Sequence, residues 1–192
     1  MASSFPTSLD NFTNPTASSL LTSPSHSLSH SDLNDAVEAL QAKVAIGNTV
    51  LGSYISYTPT FPAGLTIGNG TVTGFYCRVN GFVHVWGRAV LGSTSSVTGA
   101  INLTVPVSID ATVSGTFLGT YIGQVGIRDD SAATSYSGVV QTLGIAGFPT
   151  RVALQVQNAS ATYSTGAAIS ATVPMTWAVD DTIWWNMYYE AA

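Results

Sequence analysis

Charge is what this sequence has least of: Asp, Glu, Lys and Arg make up 8% of its 192 residues, against about a quarter in ordinary soluble chains. Its surfaces must therefore be Ser, Thr, Asn and Gln, or be buried against other subunits. The one lysine, Lys43, and the four scattered arginines, Arg78, Arg88, Arg128 and Arg151, form no basic stripe within a net charge of −5, so no nucleic-acid partner is expected. A single cysteine, Cys77, excludes an intrachain disulfide and a cysteine-rich zinc site, and reads as a small buried hydrophobe. No apolar run is long enough to span a membrane, and Met1 to Leu28 lacks the basic start and apolar stretch of a signal peptide. Synthesis in the cytoplasm without membrane insertion is expected. There is no Gly-rich phosphate loop, metalloprotease helix, nucleophile elbow or zinc spacing. No catalytic residue, cofactor or metal is expected, and four Asn-x-Ser/Thr sequons at Asn11, Asn69, Asn102 and Asn158 carry little weight without a secretion signal.

What is present falls into unlike parts. Fourteen of the first 31 residues are Ser or Thr, with Pro6, Pro15 and Pro24 at regular intervals, so residues 1–30 read as an extended arm that builds no core of its own. Its sparse apolar anchors, Phe5, Leu9 and Phe12, suit docking into grooves of another protein. Residues 31–47 read as one short helix, Ser31 to Ile46. Leu33, Val37, Leu40 and Val44 follow the 4-3-4 spacing of a coiled-coil seam, Ser29 and Asp32 fit a capping box, Ser31 is an alternative N-cap, and Gly47 can close the end. A helix this short is marginal alone, so it needs the following domain or copies of itself. His26 and His30 continue the spacing backward, but no carboxylate or cysteine joins them at ligand spacing.

Residues 48–192 read as β-structure. Strands are expected at Tyr54 to Phe61, Val72 to Val79, Phe82 to Leu91, Ile101 to Val107, Gly115 to Ile127, Tyr136 to Ile145, Arg151 to Gln157, Ala168 to Trp177 and Thr182 to Glu190. Asn80-Gly81 is the strongest hairpin signal. With no helix between the strands, the fold class is mainly β: an antiparallel, jelly-roll-like sandwich preceded by the arm and the helix.

The few ionisable residues suggest little chemistry. Asp129-Asp130 and Asp180-Asp181 lie where strand runs meet and read as solvated turns, since the remaining oxygens of a calcium site have no candidates. Alternation puts His84, Trp86 and Arg88 on one face of their strand and Val83, Val85, Ala89 and Leu91 on the other. In the last strand Ile183, Trp185, Met187 and Tyr189 share a face, opposite Trp184, Asn186, Tyr188 and Glu190. The outer set, Trp86, Arg88, Trp184, Asn186 and Tyr188, has two readings: packing against a neighbouring subunit, or stacking platforms for sugar rings with Arg88 and Asn186 as polar partners.

The opening Phe5-Pro6-Thr7-Ser8-Leu9-Asp10-Asn11-Phe12, and above all the run His30-Ser31-Asp32-Leu33-Asn34-Asp35-Ala36-Val37-Glu38-Ala39-Leu40-Gln41, resembles the N-terminal module of tailed-bacteriophage virion appendages, the minor tail or fibre proteins. Gly68-Asn69-Gly70, Gly74-Phe75-Tyr76, Arg78-Val79 and the closing Tyr189-Glu190-Ala191-Ala192 are similar to the C-terminal domains of such proteins. The resemblance implies a non-enzymatic virion protein, a homotrimer attached to other virion proteins through its N-terminal module, with the β-domain exposed on the particle. Gly47 leads almost directly into the β-domain, without a long shaft, so a stub is expected. A capsid-decorating protein at a symmetry axis and a module recognising a host-surface glycan stay open as alternatives.

Overall fold

A computed structural model describes residues 26–44, 54–79, 81–110, 119–143, 149–159 and 162–192. The chain divides into two units, Met1–Ser53 and Tyr54–Ala192. In the first, helix α1 spans His26–Val44. It starts well before Ser31, because nothing between Pro24 and Leu33 breaks a helix. Ser29, Ser31 and Asp32 therefore lie inside it and do not cap it, and its first turn carries no acid. Leu33, Val37 and Leu40 are 54%, 43% and 52% exposed. The Val44 side chain, Gly47 and the arm residues Phe5, Leu9 and Phe12 lie outside the described residues. Among the described residues no helix is long and apolar enough to cross a membrane.

The second unit is mainly β. Its strands are β1 (Ile55–Tyr57), β2 (Ala63–Thr66), β3 (Thr71–Val79), β4 (Phe82–Val90), β5 (Ser96–Thr104), β6 (Tyr121–Asp129), β7 (Thr134–Thr142), β8 (Arg151–Asn158), β9 (Thr165–Ala168) and β10 (Thr182–Glu190). All pair antiparallel in one ten-stranded sheet of order β1-β3-β4-β10-β6-β7-β8-β5-β2, with β9 on β8. The two ends of that order, β1 and β2, are neighbours in the chain. Residues 55–66 pair first with β3, cross at Pro59, and pair next with β5, where Thr60 O accepts from Thr104 N at 3.0 Å. A link this short holds the two edges close together, so the sheet must curl. Gly74 makes the crossing possible: a Cβ there would stand 2.5 Å from Pro59 Cγ and 2.6 Å from Tyr57 Cε1.

Curling turns one face inward. Val83, Val85 and Ala89 of β4, Ile183, Trp185 and Met187 of β10, and Val125 and Ile127 of β6 form one core cluster with Ile101, Leu103, Val152, Leu154 and Ile169. Burying each such side chain contributes about 1.5–3 kcal/mol. Trp185 is the largest of them, and its row explains two glycines: Gly74 and Gly87 lie beside it in register, and a Cβ on Gly87 would meet the indole at 2.4 Å.

Several elements depart from expectation for identifiable reasons. The first expected strand is cut short by Pro59 and Pro62. Most of the expected Ala168 to Trp177 strand is loop beyond the four residues of β9, since Pro174 cannot donate to a ladder. Strand β5 begins at Ser96, earlier than Ile101, in a Ser/Thr/Gly stretch that reads locally as a turn.

Candidate functional site

Strand alternation builds the outer face residue by residue. β4 and β10 lie side by side in the sheet, each buried on Val83, Val85, Ala89 or Ile183, Trp185, Met187, Tyr189 and open on the alternate positions. The register pairs Arg88 with Trp184, Trp86 with Asn186 and His84 with Tyr188. All five expected surface residues therefore share one patch. Pairing of β4 with β3 on its other side adds β3 to it, placing Phe75 opposite Trp86 and Cys77 opposite His84.

The rings form a continuous ladder. Phe82 stacks on Tyr188 with centroids 5.8 Å apart, and Tyr188 stacks on His84 at 4.2 Å with planes 7° apart. Tyr54 meets His84 and Trp86 edge-on at 5.7 and 6.2 Å, and Trp86 stacks on Phe75 at 4.6 Å. Two hydrogen bonds lock its centre: Tyr54 Oη lies 2.9 Å from His84 Nδ1, and His84 Nε2 lies 3.0 Å from Asn186 Oδ1. A neutral imidazole protonated on Nε2 satisfies both, accepting from the phenol and donating to the amide oxygen. Yet Phe82, Trp86 and Tyr188 stay 50%, 39% and 47% exposed. Each aromatic pair adds about 0.5–1.5 kcal/mol beyond burial, so the rings hold one another in place across the face.

Trp184 stands apart. It faces β6, where it pairs with Gly126, and a Cβ on Gly126 would lie 2.1–2.4 Å from indole atoms Cε2, Cζ2 and Nε1. The indole thus lies across the glycine and stays 40% exposed.

Asp129-Asp130 lies at an exposed turn, as the sequence suggests, but Asp181 of the second pair does not. Asp181 is fully buried; its Oδ1 accepts from Asp130 N at 3.0 Å and its Oδ2 from Ala178 N at 2.6 Å. One carboxylate therefore ties two loops together. Asp129 is exposed and closes its own turn, and the Ala132 N–H and the Ser131 hydroxyl that donate to it hold its carboxyl below the usual value. Asn69, one of the sequons, is likewise a loop lock: its Oδ1 accepts from Thr94 N and its Nδ2 donates to Ser93 Oγ. Cys77 is a free thiol and half-buried, not a core residue. Among the described residues no three His, Cys, Asp or Glu side chains converge as metal ligands.

Sequence reasoning missed Tyr54, Phe75 and Phe82 as members of the outer face, and it missed the polar strip beyond Trp184. Of these, Phe75 was within reach, because a two-residue loop at 80–81 fixes its partner as Trp86. Tyr54 reaches the patch through a strand pairing that no local pattern announces. Comparison of the chain with protein-family models, with curated proteins and with solved structures returns no match.

Proposed function

We propose that this chain is a non-enzymatic structural protein of a bacteriophage virion, of minor tail or short fibre type. It attaches through residues 1–30 to other virion proteins, self-associates as a homotrimer and displays its β-domain on the particle surface. The curled sheet acts in this reading as a jelly-roll-like sandwich that offers its outer face to neighbouring subunits.

The observation that carries the reading is the ring ladder of Phe82, Tyr188, His84, Tyr54, Trp86 and Phe75, of which Phe82, Tyr188, Tyr54 and Trp86 stay exposed in a single chain. An uncharged aromatic patch of this kind calls for cover. The exposed Leu33, Val37 and Leu40 on α1 call for the same. The resemblance of residues 5–12 and 30–41 to phage appendage modules names the setting.

Sedimentation of the full chain tests the reading. A trimer is expected. Replacing Leu40 with Asp, or Trp86 and Tyr188 together with Ser, should weaken association at least tenfold, because a buried unpaired charge or a lost aromatic anchor is costly at an interface. A wild-type chain that stays monomeric at high concentration would refute it. Imaging of labelled protein on intact particles then distinguishes tail from a capsid symmetry axis.

A further inference from the structure

Beyond Trp184 the outer face opens into a groove of about 570 Å³ over β6 and β7, of the size that small ligands occupy. Its lining has a marked chemistry. Trp184 forms one side, and the polar side chains are Gln124, Asn186, Ser135, Ser137 and Gln157. Among the described residues no charged side chain lines it; Arg88 and Arg128 stand just outside, in register with Trp184 and Ser135.

The register shows how the groove is made. Trp184, Gly126 and Ser137 stand in one row across β10, β6 and β7, and Ser137 donates to Gln157 Oε1 on β8 at 3.1 Å. Gly126 makes room for the Trp184 indole, which lies across it on the side of Ser137. With strands about 4.8 Å apart, the row from β10 to β8 covers about 14 Å, the width of two or three sugar rings. The adjacent row holds Asn186 and Gln124. Two of the three amides are already oriented: Asn186 by His84, Gln157 by Ser137. A site whose polar groups are pre-positioned loses less entropy on binding.

We infer that this groove binds a neutral carbohydrate chain. A pyranose presents a C–H face, which suits the exposed indole of Trp184, and a rim of hydroxyls that each donate and accept. Amides and hydroxyls answer both roles. A phosphate, sialic acid or uronic acid would bring a charge that the lining does not pair, and a peptide anchor would find no deep apolar pocket. The inference goes beyond the assembly reading: it uses Trp184 and the β6–β7 side, leaving the rings from Phe82 to Phe75 free for subunits.

The test is retention of the labelled full chain on an array of neutral glycans (oligomers of hexoses, N-acetylhexosamines and 6-deoxyhexoses) and acidic glycans (sialylated and uronic-acid-bearing). Binding to a neutral class is expected. Trp184→Ala should lower it at least tenfold. Gly126→Ala should lower it comparably, with Trp184 still present, because the new Cβ displaces the indole. Gln157→Ala, an exposed change that leaves the fold intact, should lower it several-fold, and Gly99→Ala, where an added Cβ meets nothing within 4 Å, should leave it within about twofold. No retention on neutral glycans, retention on acidic glycans alone, or neutral binding indifferent to both Trp184→Ala and Gln157→Ala would overturn the inference. Sedimentation of the same sample separates the two claims: an oligomer that binds no neutral glycan sinks the groove alone, and a monomer that binds one sinks the assembly alone.

Discussion

Removing the Asp181 carboxylate should cost the β-domain more than any surface acid can. In the native structure this side chain is fully buried and accepts from two backbone N–H groups, Asp130 at 3.0 Å and Ala178 at 2.6 Å, through different oxygens. Asp181→Ala leaves both donors without an acceptor. Each such orphan costs about 1–3 kcal/mol; relief of the carboxylate's own desolvation offsets part of this, and we expect a net loss of about 3 kcal/mol. For a domain of this size that corresponds to a drop of about 10 °C in Tm. Asp181→Asn gives the sharper contrast. An amide can accept through one oxygen only, so one backbone donor would face an NH₂ donor. The asparagine variant should lose about 2 kcal/mol or more despite matching the aspartate in shape. Urea titrations of the three proteins, with equal slopes required as a check on two-state unfolding, measure the losses. If Asp181→Asn is as stable as wild type, the two-oxygen clamp is wrong.

Gly87 and Gly99 should respond in opposite ways to alanine. A Cβ on Gly87 would meet Trp185 at 2.4 Å and Thr73 O at 2.6 Å, so overpacking should cost about 1–3 kcal/mol, whereas Gly99 has nothing within 4 Å and its substitution should be neutral or slightly stabilising by thermal melt. Alkali should weaken the fold through Tyr57, whose phenol burial pushes up to about 12; the neighbouring Trp185 indole lowers it slightly while lying outside hydrogen-bond geometry. Because the folded value exceeds the ordinary value of about 10, this contribution is intact below pH 10 and lost between about pH 10 and 12, up to about 3 kcal/mol. Urea midpoints at pH 9 and 11.5 should converge partly in Tyr57→Phe.

The elements that the sequence announces are those whose evidence is local. Thr71–Val79, Phe82–Val90, Arg151–Asn158 and Thr182–Glu190 are alternating runs with turn residues at their ends, and each lies within a residue or so of its expected bounds. The opposed faces of β4 and β10 follow from the same alternation. What local pattern does not carry is pairing at a distance. Nothing near Tyr54 says that its ring reaches His84, thirty residues on, and nothing near Ser137 says that Trp184 will stand across Gly126 from it. Asp181 escapes for a related reason: adjacent aspartates look alike in sequence, and only the approach of Asp130 to Asp181 makes one of the four a core residue. The helix start misleads because Ser29 and Asp32 match a cap spacing, while the absence of any breaker after Pro24 decides where the helix begins.

The strands with a single partner are β1, β2 and β9, of three, four and four residues. An exposed edge of that length offers too few backbone groups to recruit a further strand. Among the described residues, these short edge strands therefore give a second copy little backbone on which to extend the sheet without end. In the assembly proposed above, association would then rest on side chains of the faces, which set a fixed number of neighbours and then stop.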